Sequence, residues 1–202
     1  MFFVSPPTAG AAAITDSSAP KQLPNGDVVS SITTEAGKTY TLTYRQAAQD
    51  IQVQHAASTA VVSRIPRGHD PSLVGAATRI RFLPNSLQPY ESRGDLLFIA
   101  TQRTRAGRGM GLCGAGVETY LDVLDIRHKS PKVTASLLVD SCARGISLRN
   151  NGDPDDTLYS FDVEGGRLSM RFLAYEDMTR SFGIRAVLSD DLKRLLVMHI
   201  PR

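Results

Sequence analysis

The stretch from Tyr159 to Phe172 constrains this chain more than any other. Tyr159, Phe161 and Val163 alternate with polar residues, Gly165-Gly166 follows, and Leu168, Met170 and Phe172 alternate again. A period of two places every second side chain on one face of a strand, and two adjacent glycines supply the positive φ angles of a two-residue primed turn. With the glycines as the loop, Val163 faces Leu168, Phe161 faces Met170 and Tyr159 faces Phe172. One register therefore gathers six apolar side chains on one side of a hairpin.

The same period recurs along the chain. Thr39 to Tyr44 aligns Tyr40, Leu42 and Tyr44 against three threonines, and Asp50 to His55 aligns Ile51 with Val53. The alanines around that second segment leave a short helix open as an alternative. Thr78, Ile80 and Phe82 oppose Arg79 and Arg81. Asp95 to Thr101 holds Leu96-Leu97-Phe98-Ile99-Ala100, an apolar run of strand length that suits the centre of a sheet. Glu118 to Arg127 and Lys132 to Asp140 flank His128-Lys129-Ser130-Pro131 and read as a second hairpin, with Val133, Ala135, Leu137 and Val139 on one face. Near the C-terminus, Ala186-Val187-Leu188 and Leu195-Leu196-Val197-Met198 read as paired strands around Ser189-Asp190-Asp191. The competing pattern is a helix capped by Ser189, with Leu188, Leu192, Leu195 and Leu196 at helical spacing. The chain has no dinucleotide or P-loop glycine motif and no strand–helix alternation. The expected fold is mostly β, an antiparallel sheet or sandwich of hairpins with one disulfide within a hairpin. A propeller-like meander is the alternative, although no period of roughly 40–50 residues repeats.

A hydrophobic share of 42% over 202 residues is enough to build a core, which excludes a wholly disordered chain. No window approaches the ~18 uninterrupted apolar residues of a membrane span. Residues 1–27 are rich in Ala, Ser, Thr and Pro without sustained periodicity and read as a flexible leader, with a single domain over 28–202. Met1-Phe2-Phe3-Val4 is apolar but lacks the basic start of a secretory signal, and Pro6-Pro7 interrupts it. Charge is uneven: residues 77–150 carry eleven basic and six acidic side chains, whereas 1–76 are balanced and 151–202 are slightly acidic. A basic middle attracts an acidic partner surface. Nucleic acid is disfavoured, because there is no Trp and the aromatics fall mainly at strand spacing.

Cys113 and Cys142 are the only cysteines. Folding 118–140 as a hairpin brings its outer ends together, and those ends carry the two thiols. Their midpoint, 127.5, lies within a few residues of the turn, so a disulfide is expected. The rival reading is a cysteine hydrolase, because Gly111-Leu112-Cys113-Gly114 has the Gly-x-Cys-Gly form around the nucleophile of chymotrypsin-like cysteine proteases. It requires His55 as base and Asp70 or Asp95 as the orienting acid, at irregular spacing. The four histidines, His55, His69, His128 and His199, show no metal-ligand spacing. Asp153, Asp155 and Asp156 lack the closing Glu of a calcium loop and read as a solvated turn. No metal, cofactor or catalytic residue is assigned.

The segment from Gln102 to Leu112 holds Arg103, Arg105 and Arg108 among three glycines, between two strands. Arginine offers a rigid donor fork to carboxylates, and Met110 suits a yielding contact. Arg144 and Arg149, just beyond Cys142, extend the same basic patch. A long, solubilising hairpin connection explains these residues equally well.

Cys113-Gly114-Ala115-Gly116-Val117-Glu118, a hairpin, and then Ser141-Cys142 together resemble a pattern in small exported bacterial β-proteins, some of which are inhibitors or immunity partners of secreted toxins. The resemblance spans about 30 residues and implies a disulfide-bearing binding module, periplasmic or secreted. The expected activity is thus non-enzymatic: neutralising a partner protein with an acidic surface or cleft, without nucleic acid or a membrane span. The cysteine hydrolase, or an envelope ligand-binding β-module, stands as the alternative.

Overall fold

A computed structural model describes residues 20–34, 37–48, 50–64, 79–83, 87–103, 117–128, 130–141, 144–149, 157–175 and 183–199. Within them the chain forms three antiparallel sheets in sequence order. The first is a meander of β1 (Lys21–Gln22), β2 (Val28–Thr33), β3 (Thr39–Arg45), β4 (Asp50–His55) and β5 (Ser58–Arg64). The second joins β6 (Arg79–Phe82), β7 (Asp95–Arg103), β8 (Val117–Asp125) and β9 (Lys132–Ser141), with the short helix α1 (Leu87–Glu91) between β6 and β7. In the third, β12 (Arg167–Ala174) pairs with β10 (Ser147–Leu148), β11 (Phe161–Glu164) and β13 (Ile184–Leu188), and β13 pairs with β14 (Leu195–His199).

The alternation of β7 sets how the sheets stack. Leu97 and Ile99, with Leu121 and Val123 on β8, belong to a buried cluster shared with Leu168, Met170, Phe172, Ile184, Ala186 and Leu188 of the third sheet. Their neighbours Leu96 and Phe98, with Ile80, Phe82 and Leu124, join Ile32, Tyr40, Leu42, Tyr44 and Val53 of the first sheet. The middle sheet is therefore covered on both faces, which is why its central strand reads as an unbroken apolar run. The outer sheets bury one face each and alternate. In β3, Tyr40, Leu42 and Tyr44 are buried while Thr39, Thr41 and Thr43 face outward, Thr39 and Thr41 sharing hydrogen bonds with Thr33 and Ser31 across the strand pair. At its edges the first sheet comes close to the second, β2 beside β6 and β5 beside β9.

The glycine hairpin has the expected register, Phe161 opposite Met170 and Val163 opposite Leu168, and Gly165 and Gly166 take φ of 58° and 77°. Tyr159 departs from the expectation. Thr157–Ser160 closes into a 3-10 turn, Ser160 Oγ donates to the Arg149 carbonyl, and Tyr159 is left 41% exposed. Leu148 of β10 takes the place opposite Phe172. Alternation continued one residue pair too far because the edge of β12 is shared by two short strands in tandem.

Asp50–His55 is a strand rather than a helix. Residues 184–199 are the paired strands, with Leu188 opposite Leu195. Ser189 closes their turn instead of capping a helix: its N–H donates to the Arg194 carbonyl and its Oγ accepts from the Arg194 N–H. β8 and β9 form the second hairpin, from Asp125 opposite Lys132 to Glu118 opposite Ser141, with two register shifts that bend the pair. At the N-terminal side, Lys21–Gln22 already pairs with Val28 and Val29, so the first sheet takes in the last residues of the segment read as a leader.

Candidate functional site

Both ends of the middle sheet bear charge, and they differ in kind. Alternation along β7 and β8 puts Asp95 and Asp125 on the face that looks toward the third sheet, and the register sets them directly opposite each other at one end. They are 5% and 2% exposed. Around them opens a cleft of about 830 Å³, walled by the β8–β9 turn on one side and the 190–193 turn of the third sheet on the other.

Asp125 is fully engaged. Arg127 Nε and Nη2 donate to its two oxygens at 3.0 and 2.8 Å, and the Arg127 N–H adds a third bond at 2.9 Å. That fork holds the Asp125 carboxyl down at about 2. His128 Nε2 stands 4.0 Å away. Gly94 makes the arrangement possible. Its φ of +81° disfavours a side chain, and a Cβ there would lie 2.2 Å from Arg127 Cγ, so the arginine stem crosses bare backbone. The Gly94 carbonyl accepts from the Ile126 N–H at 2.9 Å, locking the crossing.

Asp95 is the opposite case. No described group donates a hydrogen bond to it, and burial pushes its carboxyl up, Arg127 and Arg93 pulling the other way. Two carboxylates side by side thus have their protonation preferences driven apart, which is the condition for distinct acid and base roles.

The walls are braced. Arg93 Nη2 donates to the Asp190 carbonyl at 2.8 Å, while its guanidinium sits 5.8 Å from the centre of the Tyr90 ring. Tyr90 Oη in turn accepts from the Leu168 N–H at 2.6 Å, tying α1 to β12. Arg167 pairs with the Asp190 carboxylate at 2.6 Å, and Ser189 Oγ donates to Asp191 at 2.5 Å. Leu192 adopts φ +60°, a conformation an L-residue enters at a cost of about 1–2 kcal/mol, and its side chain is 7% exposed against the core.

The strands that flank the segment favoured by sequence reasoning stop at the other end of the sheet. β7 and β8 remain paired to Arg103 opposite Val117, some 26 Å along the strand from Asp95 at about 3.3 Å per residue. Arg105, Arg108, Met110, Cys113 and Cys142 lie outside the described residues, as does the side chain of Arg103. Arg144 is exposed just past β9, which ends where Ser141 pairs with Glu118, so it belongs to this same end. Arg149 is exposed too, and its N–H donates to the Arg171 carbonyl.

Neither a family model, nor a curated protein, nor a solved structure matches this chain. Function therefore rests on the geometry of the two ends.

Of the residues weighed for a hydrolase, His55 stacks on Tyr40 with ring centres 4.4 Å apart, and its Nδ1–H donates to the Thr39 carbonyl. Asp95 is at the far end of β7 from residues 104–116. Asp70 lies outside the described residues. Among the described residues no cluster of His, Cys, Asp or Glu is placed to hold a metal ion, and no helix is long and apolar enough to cross a membrane. The cleft itself is not apparent from sequence reasoning, since its parts come from three separated segments. One local signal was present: Asp125-Ile126-Arg127 at the end of a strand is the spacing of a carboxylate held by the arginine two residues on.

Proposed function

We propose that the protein is a non-enzymatic binding protein of the bacterial envelope that inhibits or neutralises a partner protein through the arginine-bearing end of its middle sheet. One observation carries this reading. The β7–β8 ladder is unbroken from Asp95–Asp125 to Arg103–Val117, so the connection 104–116 leaves and re-enters a pair of strands clamped between two other sheets. Residues 102–117 contain three arginines and no acidic side chain, and Arg144 adds a further cation at that end. A cationic segment joined at both ends to paired strands draws an acidic surface at long range.

In this reading Arg103, Arg105 and Arg108 pair with carboxylates of the partner, Met110 fills an apolar contact, and Arg144 and Arg149 widen the basic surface. A Cys113–Cys142 bond anchors the segment. Its support is that Cys142 directly follows Ser141, which pairs with Glu118, five residues after Cys113. The test is affinity capture from an envelope extract using the full chain and the triple variant R103A/R105A/R108A. A one-to-one complex that forms with the native chain, weakens with salt and disappears with the triple variant is expected. A complex that the triple variant retains at native strength overturns the reading. Thiol titration in denaturant without reductant should find no free thiol, whereas two titratable thiols would remove the anchor.

A further inference from the structure

The cleft at the opposite end is independent of the proposed partner surface, and its hydrogen-bond inventory is unbalanced. Three of its four carboxylates are already served: Asp125 by Arg127, Asp190 by Arg167, and Asp191 by Ser189 and the Lys193 N–H. Asp95, 95% buried on the cleft floor, receives no hydrogen bond from a described group. Two of its four cations are uncommitted. The side chains of Lys132 and Lys193 make no ion pair among the described residues, and His128 is 67% exposed with its nearest carboxylate oxygen at 4.0 Å.

We infer that this cleft is a binding site for a small anion that carries hydroxyl groups, its charged group held by Lys132, Lys193 and His128 and a hydroxyl donating to Asp95. The alternatives satisfy only half of the site. A bare anion would neutralise the rim and leave Asp95 with solvent as its only donor, so it would draw nothing from that carboxylate. A simple cation directed at Asp95 would meet the guanidiniums of Arg93 and Arg127, whose charges already act on that carboxyl. A neutral hydroxyl can approach it without that repulsion. Among the described residues no Phe or Tyr lines the cleft, so a neutral sugar lacks the broad stacking face those rings offer and the charged group must supply the affinity. Arg93 ties the middle sheet to the 190–193 turn, while Arg167 and Ser189 stiffen that turn from within the third sheet, the order that a ligand site requires.

Calorimetric titration of the full chain at constant ionic strength tests this with four probes: glucose 6-phosphate, gluconate, inorganic phosphate and glucose. The sugar phosphate and the sugar acid should bind, glucose should not, and inorganic phosphate should bind at least about tenfold more weakly than the sugar phosphate. The double variant K132A/K193A, altered only at exposed positions, should weaken the sugar phosphate by about tenfold or more. Asp95→Ala, its folding checked by thermal melting, should abolish the advantage of the sugar phosphate over inorganic phosphate. Absence of binding by either hydroxylated anion overturns the inference. So does equal binding of the sugar phosphate and inorganic phosphate to the native chain, or a sugar-phosphate affinity unmoved by the double lysine variant.

Discussion

Replacing Asp122 with Asn should raise the free energy of unfolding by about 3 kcal/mol near pH 8 and by almost nothing near pH 4. Asp122 points from β8 toward the first sheet, opposite Phe98 on β7 and Ser136 on β9, and is only 4% exposed. Burial pushes its carboxyl up to about 6 from the ordinary 3.8, although a hydrogen bond with Ser136 pulls it part of the way back. Between those two values the native state holds a proton that the unfolded chain has released. Stability from this group therefore falls as pH rises through that window and is lowest above about 6. The gap between the two values corresponds to about 3 kcal/mol of ionisation cost borne by the native state at high pH. Asparagine has nearly the same shape, keeps a partner for Ser136 and never ionises. Asp125 acts in the other direction and elsewhere, since its depressed carboxyl loses its contribution only as pH falls from 3.8 toward about 2. Urea titrations of both chains from near pH 4 to near pH 8 should give curves that coincide at the acid end and separate upward. A gap that is constant with pH, or a variant that is less stable near pH 8, would refute the burial account.

The remaining predictions concern the cleft. Gly94→Ala introduces a side chain at φ +81° and displaces the Arg127 stem, so chemical denaturation should show a loss of about 2 kcal/mol; an unchanged midpoint would mean that the crossing is not rigid. Arg127→Ala removes the chief cause of the low Asp125 value, and carboxyl-carbon titration by NMR should follow that group upward from about 2. If it stays there, another donor holds it.

The strands were largely legible because the chain writes its burial pattern at period two. Gly165-Gly166 marks a turn by the angles it alone tolerates, and Leu188 to Leu195 spans a turn that Ser189 closes with its own side chain. Leu96 to Ala100 announces a strand covered on both sides, though which sheets cover it depends on contacts between segments far apart in sequence. Tyr159 was misread because alternation has no marker for the residue at which an edge strand gives way to a 3-10 turn. The cleft was hidden for a related reason. Asp95 and Asp125 are thirty residues apart and meet only through the β7–β8 register, and the opposing wall belongs to a different sheet. Sequence reasoning could treat Asp95 only as a possible companion of Cys113, whereas register sends it to the other end of the strand.

Having a ribbon of chain wrapped on either side makes residues 79–141 dependent on both neighbours at once. A fragment cut before Ser147 would leave Leu97, Ile99, Leu121 and Val123 facing water, and one begun after Arg64 would do the same to Leu96, Phe98 and Leu124. Neither half should be soluble alone, so unfolding from either flank ought to carry the centre with it in a single transition.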